Sequence, residues 1–185
     1  NDCISQITAT TASAVGAIAS ASSGVFYSAV YANDTITGQD IIVLLPQAPS
    51  SNPYNAANPT PVIMYVRGSG SDGNGLIYDS LKFGCRDALL DAGYILAQSE
   101  AHGQNWGNQA SVDDYAALEK YVRENYNVKA VALWGQSMGG LDTFSVIAQG
   151  KVPVVGALLT YPACNLADLY AIGWDSAIDA AYGIT

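Results

Sequence analysis

Short apolar runs alternate with helix-length segments along most of the chain. The six runs that predict strands are Val25–Tyr31, Ile41–Leu45, Val62–Val66, Tyr94–Ala97, Ala130–Trp134 and Val154–Tyr161. Segments with helical character lie at Leu76–Ala92, Ser111–Asn125 and Gly140–Gln149. Strands that alternate with helices in this way predict an α/β fold, with a mostly parallel sheet and helices on both of its faces.

Local signals refine the predicted helices. Ser111 is a good N-cap, and Asp113 and Asp114 would then occupy the first turn, where carboxylates favour the helix dipole. In the first predicted helix, the candidate core contacts are Leu76, Leu81, Phe83, Leu89 and Leu90.

Three segments follow from these patterns: residues 1–24, a core domain over residues 25–164, and residues 165–185. The first is rich in Ala, Ser and Thr, and six of its positions follow a heptad rhythm that continues to Val25, namely Ile4, Ile7, Thr11, Ala14, Ile18 and Ala21. It is interpreted either as a linker or helix lying on the domain, or as an oligomerising stalk. Residues 165–185 carry Tyr170, Trp174 and Tyr182, which predicts the start of a lid or cap.

Composition narrows the function classes. Half of the 185 residues are hydrophobic and 12% are charged, which indicates one folded domain. The net charge is −9 and no basic run occurs, which argues against a nucleic-acid partner. No apolar run reaches the roughly 18 residues of a membrane span. Cys3, Cys85 and Cys164 lack metal-type spacing, so neither a metal nor a cofactor is expected, and free thiols and a Cys85–Cys164 disulfide both stay open.

The most informative motif is Gly135-Gln136-Ser137-Met138-Gly139, between a predicted strand and a predicted helix. G-x-S-x-G in that context is the nucleophile elbow of a hydrolase. Ser137 is then the candidate nucleophile, and the Met138 amide, at a helix N-terminus, can donate to an oxyanion. The alternative is a close-packed glycine turn without chemistry.

A second oxyanion donor is expected from the glycine-rich loop that follows the third predicted strand. That loop begins Arg67-Gly68-Ser69-Gly70, and its glycines let the backbone approach closely. Ser69 or Gly70 would supply the amide. A plain flexible loop is the alternative, because Gly-Ser runs are common linkers.

This organisation resembles the α/β-hydrolase superfamily over roughly residues 25–164. The segments 101–108, 135–140 and 161–166 also resemble a subgroup of hydrolase-like proteins encoded by phages and prophages. The resemblance implies an esterase-like serine hydrolase with a triad in the chain order Ser, acid, His. Hydrolases often begin the oxyanion loop with His-Gly, where this chain has Arg67-Gly68.

This chain does not supply the histidine of such a triad in the expected order, because His102 is the single histidine and it precedes Ser137. We therefore expect the fold to lack its C-terminal strands, and the base and acid to come from a segment absent from this chain. Asp168 is a candidate acid. His102 is interpreted as a loop histidine bonded to backbone or to Glu100, as a group that lines the pocket, or as an unconventional base. Trp106 either stacks on a sugar or closes its loop.

Three hypotheses compete. The first is a serine hydrolase acting on an ester, with carbohydrate or cell-surface esters suggested by the phage resemblance. The second is an inactive attachment module of a phage particle, oligomeric through residues 1–24. The third is a reduced but complete hydrolase that uses His102. An extracellular or virion-associated location is favoured over the cytoplasm.

Overall fold

The computed structural model describes residues 13–19 and 23–184. One seven-stranded sheet has the order β1-β2-β3-β5-β4-β6-β7. The strands are β1 Ser13–Ala19, β2 Phe26–Asn33, β3 Asp40–Gln47, β4 Thr60–Val66, β5 Ile95–Ser99, β6 Val128–Gln136 and β7 Val154–Thr160. The helices are α1 Gly75–Tyr78, α2 Phe83–Asp91, α3 Gln109–Asn125, α4 Gly139–Gln149, α5 Leu166–Leu169 and α6 Asp175–Tyr182, with a 3₁₀ turn Ser80–Lys82 and a π-helical turn Tyr170–Trp174.

The sheet has a parallel and an antiparallel part. Strands β5, β4, β6 and β7 run parallel to one another, and β1, β2 and β3 pair antiparallel, with β3 joined antiparallel to β5. The carboxyl ends of β4, β5, β6 and β7 therefore meet at one edge, where the loops that carry the candidate site residues lie.

Helices cover both faces of the sheet, as predicted. Helices α3 and α4 bury one face with Val112, Tyr115, Leu118, Val122 and Val146. Helices α1 and α2 bury the other face through Leu76 and Leu90. The predicted fold class is confirmed.

The N-terminal prediction of a helix is wrong for residues 13–19. They form β1, which pairs antiparallel with residues 26–31 of β2, with a register shift at Gly16. Glycine disfavours a helix, and pairing satisfies backbone groups that β2 would otherwise expose. The remainder of the predicted linker or stalk, residues 1–12 and 20–22, lies outside the described residues.

The first predicted helix is broken at Asp79. That residue is extended, and its carboxylate accepts a hydrogen bond from the Leu81 amide, which starts a separate 3₁₀ turn. Asp side chains compete with the helical backbone in this way. As a result Leu81 is 89% exposed, and its predicted place in the core is wrong.

Helix α3 begins earlier than predicted. Asn108 is its N-cap, with its side-chain oxygen 3.0 Å from the Ser111 amide nitrogen. Ser111 lies inside the helix and donates instead to the Asp142 carboxylate at 2.5 Å. Asp113 and Asp114 accordingly sit beyond the first turn, and Asp114 is buried.

Residues 165–184 fold back onto the core. The Asn108 side-chain amide donates to the Ala181 carbonyl at 2.7 Å, and the Tyr182 hydroxyl donates to the Trp106 carbonyl at 3.0 Å. Gly173, with φ of 104°, kinks the chain inside the π-helical turn that precedes α6. The segment is anchored on the loop after β5.

Strand β7 is apolar yet exposed. It pairs with β6 and forms the end of the described sheet, and Val155 and Leu158 are 75% and 54% exposed. Apolar parallel strands are normally covered on both faces. This edge of the sheet therefore presents surface typical of an interior strand.

Of the two alternatives for Cys85 and Cys164, the structure shows free thiols and no disulfide. Cys85 is partly buried on α2, and Cys164 is exposed after β7. Within the described ranges, no helix has the length and apolar character required to cross a membrane.

Leu96 and Leu81 give a matched test of the core. Leu96 is fully buried in the centre of the sheet, so Leu96→Ala should lower the free energy of unfolding by about 2–5 kcal/mol. Leu81→Ala, at an 89% exposed position, should change it by less than about 0.5 kcal/mol. Urea denaturation of both variants measures this, and equal losses would contradict the placement of Leu81.

Candidate active site

Ser137 occupies a tight turn between β6 and α4. It is exposed, and its φ is 51°, in the left-handed region that a residue with a side chain seldom adopts. Helix α4 begins two residues later, at Gly139. The turn therefore points the serine hydroxyl outward beside the N-terminus of a helix, and such strained residues cluster at functional sites.

Backbone hydrogen bonds fix this turn from three directions. The Ser137 N–H donates to the Thr160 carbonyl at 3.1 Å, at the end of β7. The Ser137 carbonyl accepts from the amides of Gly140 at 2.8 Å and Ala163 at 2.7 Å. With its main chain held by β7, α4 and the segment after β7, the serine has only its side chain free.

Glycine is required at both ends of the motif for steric reasons. A Cβ at Gly135 would lie 2.9 Å from the Gly139 carbonyl oxygen and would collide with the Thr143 hydroxyl. A Cβ at Gly139 would lie 2.7 Å from the Arg67 carbonyl oxygen and would overlap that of Val66. Real Cβ atoms do not approach backbone so closely, so the glycines allow α4 to reach the end of β4.

The loop after β4 packs against Ser137. Gly68 to Ser71 form a turn closed by a 3.3 Å hydrogen bond from the Ser71 amide to the Gly68 carbonyl, with Gly70 at φ of 75°. This is the pattern of a type II turn. A Cβ at Gly68 would lie 3.2 Å from the Ser137 Cβ, so the Ser69 and Gly70 amides belong to a turn packed against the serine.

Met138 completes the oxyanion-type arrangement. Its side chain is fully buried, against Trp106 and Ile178, and its amide belongs to the first turn of α4. The first amides of a helix have no intrahelical partner and attract negative charge. The amides of Met138, Ser69 and Gly70 therefore remain the candidate oxyanion donors.

The His102 ring is paired with a buried carboxylate of α3. Its Nδ1 lies 2.6 Å from the Asp114 carboxylate, and its backbone N–H donates to the Gln39 side chain at 3.0 Å. The expected partners, backbone or Glu100, are therefore wrong for its ring. The half-exposed ring lines a groove with Asn108, Ala177 and Ala181, and no hydrogen bond joins it to Ser137 in the described part of the chain.

The contacts of Trp106 and Asp168 are with neighbouring parts of the fold. Trp106 is buried, and its ring packs at a tilt against Trp174 with the centroids 5.0 Å apart, so it closes its loop and offers no exposed face to a sugar. Asp168 is exposed and accepts a 2.8 Å hydrogen bond from the Asn165 side chain at the start of α5. Asp168 is therefore not the carboxylate that pairs with His102, which is Asp114.

Buried polar groups beneath the site escaped the sequence interpretation. Asp114 and Asp142 are fully buried on α3 and α4, and each leaves one carboxylate oxygen without a hydrogen-bond partner among the described residues. Burial raises the pKa of Asp142 to about 7, and it also raises the pKa of Asp114. Neither residue belongs to a motif, so only three-dimensional proximity reveals them.

The donor set does not suggest a metal. In the described residues, no group of three or more His, Cys, Asp or Glu side chains is arranged to hold an ion.

Comparison with solved structures finds similar folds among serine hydrolases and esterases. The chain is similar to FphF, a fluorophosphonate-binding serine hydrolase of Staphylococcus aureus, with a TM-score of 0.69 and 16% identity over 87% of this chain and 67% of that one. An S-formylglutathione hydrolase from Agrobacterium tumefaciens has a TM-score of 0.61 and 11% identity, with coverage of 91% and 72%. A ferulic acid esterase has a TM-score of 0.58 and 16% identity, with coverage of 83% and 67%.

No protein-family model matches the chain, and no curated protein does. At these identities the structural likeness establishes the fold, which is that of the α/β-hydrolases.

Gly139→Ala tests the close approach of α4 to β4. The added methyl group would overlap two backbone carbonyls, so we expect a loss of at least about 2 kcal/mol in the free energy of unfolding, or failure to fold. Gly84→Ala is the control, because nothing lies within 4 Å of its Cβ in α2 and alanine favours a helix. Thermal melting of both variants measures the contrast, and a stable Gly139→Ala protein would contradict the packing.

Asp142→Asn tests the buried carboxyl. Between the unfolded pKa of about 3.9 and the folded value of about 7, the folded state holds a proton that the unfolded state releases. The stability of the unaltered protein should therefore fall as pH rises through this window, by up to about 1.4 kcal/mol per pH unit from this group. The free energy of unfolding of Asp142→Asn should therefore rise relative to that of the unaltered protein between pH 5 and 7. Above pH 7 the difference between the two should level off.

Denaturation curves at pH 5, 6, 7 and 8 measure the difference. Asp113→Asn is the control, since the Lys151 ammonium lowers the pKa of this exposed carboxyl and its contribution is constant above pH 5. A parallel pH dependence for Asp142→Asn and the unaltered protein would refute the assignment.

Proposed function

We propose that this chain carries the nucleophile and oxyanion hole of an esterase-like serine hydrolase. The observation that carries the proposal is the exposed Ser137 at a strained strand-to-helix turn, faced by the Gly68–Ser71 turn. The likeness to solved serine hydrolases and esterases supports the same reaction class.

The reaction follows from this geometry. The Ser137 hydroxyl attacks an ester carbonyl while a base takes its proton. The Met138 amide and an amide from Ser69 or Gly70 stabilise the oxyanion of the tetrahedral intermediate. The intermediate collapses, the alcohol leaves with the proton, and water then releases the acid from the acyl-enzyme.

We assign the base and acid to a part of the protein outside these 185 residues. The uncovered apolar strand β7 supports this, because a further strand would pair with its open edge and the connecting helices would cover Val155 and Leu158 on the faces of the sheet. His102 is disfavoured as the base because Asp114 holds it in a groove formed with α6, and Ser137 is not among the residues of that groove.

Helices α5 and α6 are proposed as the start of a cap. They pack on Met138 and Trp106 beside the proposed oxyanion hole, which is where a cap would control access. An ester of a carbohydrate or of a cell-surface polymer is the proposed substrate, on the resemblance to phage-encoded proteins.

Labelling of the full-length protein with a fluorophosphonate probe tests the proposal. The probe should react with the unaltered protein and with the control Ser51→Ala, whose serine is exposed and lies on a loop after β3. Ser137→Ala should abolish labelling, because the nucleophile is lost. An unlabelled parent protein that folds normally would favour the competing hypothesis, an inactive attachment module.

A further inference from the structure

Arg67 is one of the most thoroughly buried large side chains in the described structure, although it begins a surface loop. Its side chain is 2% exposed, and it stands where hydrolases often carry a histidine. A buried guanidinium requires partners for its hydrogen-bond donors. Those partners show what the residue does.

The guanidinium joins two loops. Its Nε donates to the Glu100 carbonyl at 2.8 Å, its Nη2 lies 3.1 Å from the Glu100 carboxylate, and its Nη1 donates to the Ser71 carbonyl. Glu100 follows β5, whereas Ser71 closes the turn that lies against Ser137. Arg67 therefore ties that turn to the end of the neighbouring strand.

The backbone of the same residue touches the serine turn. The Arg67 carbonyl oxygen lies where a Cβ at Gly139 would be only 2.7 Å away. One residue thus contacts the start of α4 through its main chain and holds the Gly68–Ser71 turn through its side chain. The start of α4 and the Gly68–Ser71 turn carry the candidate oxyanion amides, so the conformation of Arg67 affects the distance between them.

The rest of the loop has separate anchors. The Gln98 side chain donates to the Asp72 carbonyl at 2.7 Å and accepts from the Leu76 amide at 3.1 Å. The Glu100 carboxylate also accepts a hydrogen bond from the Gly73 amide. These contacts should keep the loop folded when Arg67 is changed conservatively, so its effect can be localised to the turn.

We propose that Arg67 is the positioning residue of the oxyanion hole: its guanidinium holds the Gly68–Ser71 turn against Glu100 and so sets the place of the Ser69 and Gly70 amides relative to Ser137. The proposal rests on the hydrolase function proposed above. Arg67 contacts neither substrate nor the reacting atoms. It acts through the turn, and its effect belongs to the transition state, where the oxyanion forms.

Arg67→Lys in the full-length protein is the decisive variant. Lysine keeps the charge but cannot present the planar fork that reaches two carbonyls and a carboxylate. With a small p-nitrophenyl ester we expect kcat to fall about 10–100-fold while KM stays within about threefold. Affinity for a boronic acid that mimics the tetrahedral intermediate should fall by a similar factor.

Arg86→Lys is the matched control. Arg86 is also buried, on α2, where it pairs with Asp87 at 2.7 Å on the other side of the sheet from α3 and α4. We expect this variant to lower the melting temperature at least as much as Arg67→Lys while kcat stays within twofold. If Arg67→Lys does not fold, Glu100→Gln at a partly exposed position weakens the same clamp and should lower kcat with KM unchanged.

The outcomes separate the two proposals. An unaltered protein that neither hydrolyses the ester nor reacts with the fluorophosphonate overturns the proposed function, and the role of Arg67 falls with it. An active unaltered protein whose Arg67→Lys variant, or Glu100→Gln variant in its place, keeps kcat within threefold overturns the positioning role alone. Equal losses of kcat in the Arg67 and Arg86 variants would likewise show a general effect of stability.

Discussion

The contact between the end of β4 and the first residue of α4 is the constraint on which the candidate site depends. The carbonyls of Val66 and Arg67 occupy the space that a side chain at residue 139 would need. Because only backbone separates the helix from the strand, Ser137 is forced into the left-handed region and its neighbour Gly68 comes into contact with it. The strain at the serine is small beside the packing of β6 and α4 that maintains it.

Around this contact the protein buries an unusual amount of charge. Arg67, Asp114 and Asp142 all lie under the loops that surround the site. A buried charge is costly unless it is paired, and the raised pKa of Asp142 shows that its partners offset only part of that cost. Functional sites commonly retain such groups, since hydrogen-bonded networks fix loops in a single arrangement. The guanidinium of Arg67 fits that description, because each of its contacts orders a loop.

The sequence predicted the fold well where periodicity and glycine geometry decide it. The β6–Ser137–α4 arrangement follows from a buried strand, a motif with obligatory glycines and a helical segment. Prediction failed where a single side chain overrides the pattern: Asp79 ends one helix, and Asn108 rather than Ser111 caps another. The pairing of β1 with β2 and that of His102 with Asp114 depend on tertiary proximity, which a heptad match or a lone histidine does not encode.

The geometry of the loop after β5 supports the proposal that a residue other than His102 is the base. His102 is bonded to Asp114 and has no hydrogen bond to Ser137 in the described residues, so its use as the base would require a change in the loop over residues 101–108. Ala101, His102 and Trp106 all have φ near 50°, and Asp114 and the stacked Trp174 hold the loop in that form. Rebuilding it would leave the buried Asp114 carboxylate without its imidazole partner and would uncover Trp106, and both changes are costly. The proposed strand and helix beyond β7 would require no such rearrangement, and they would cover apolar surface that is exposed here.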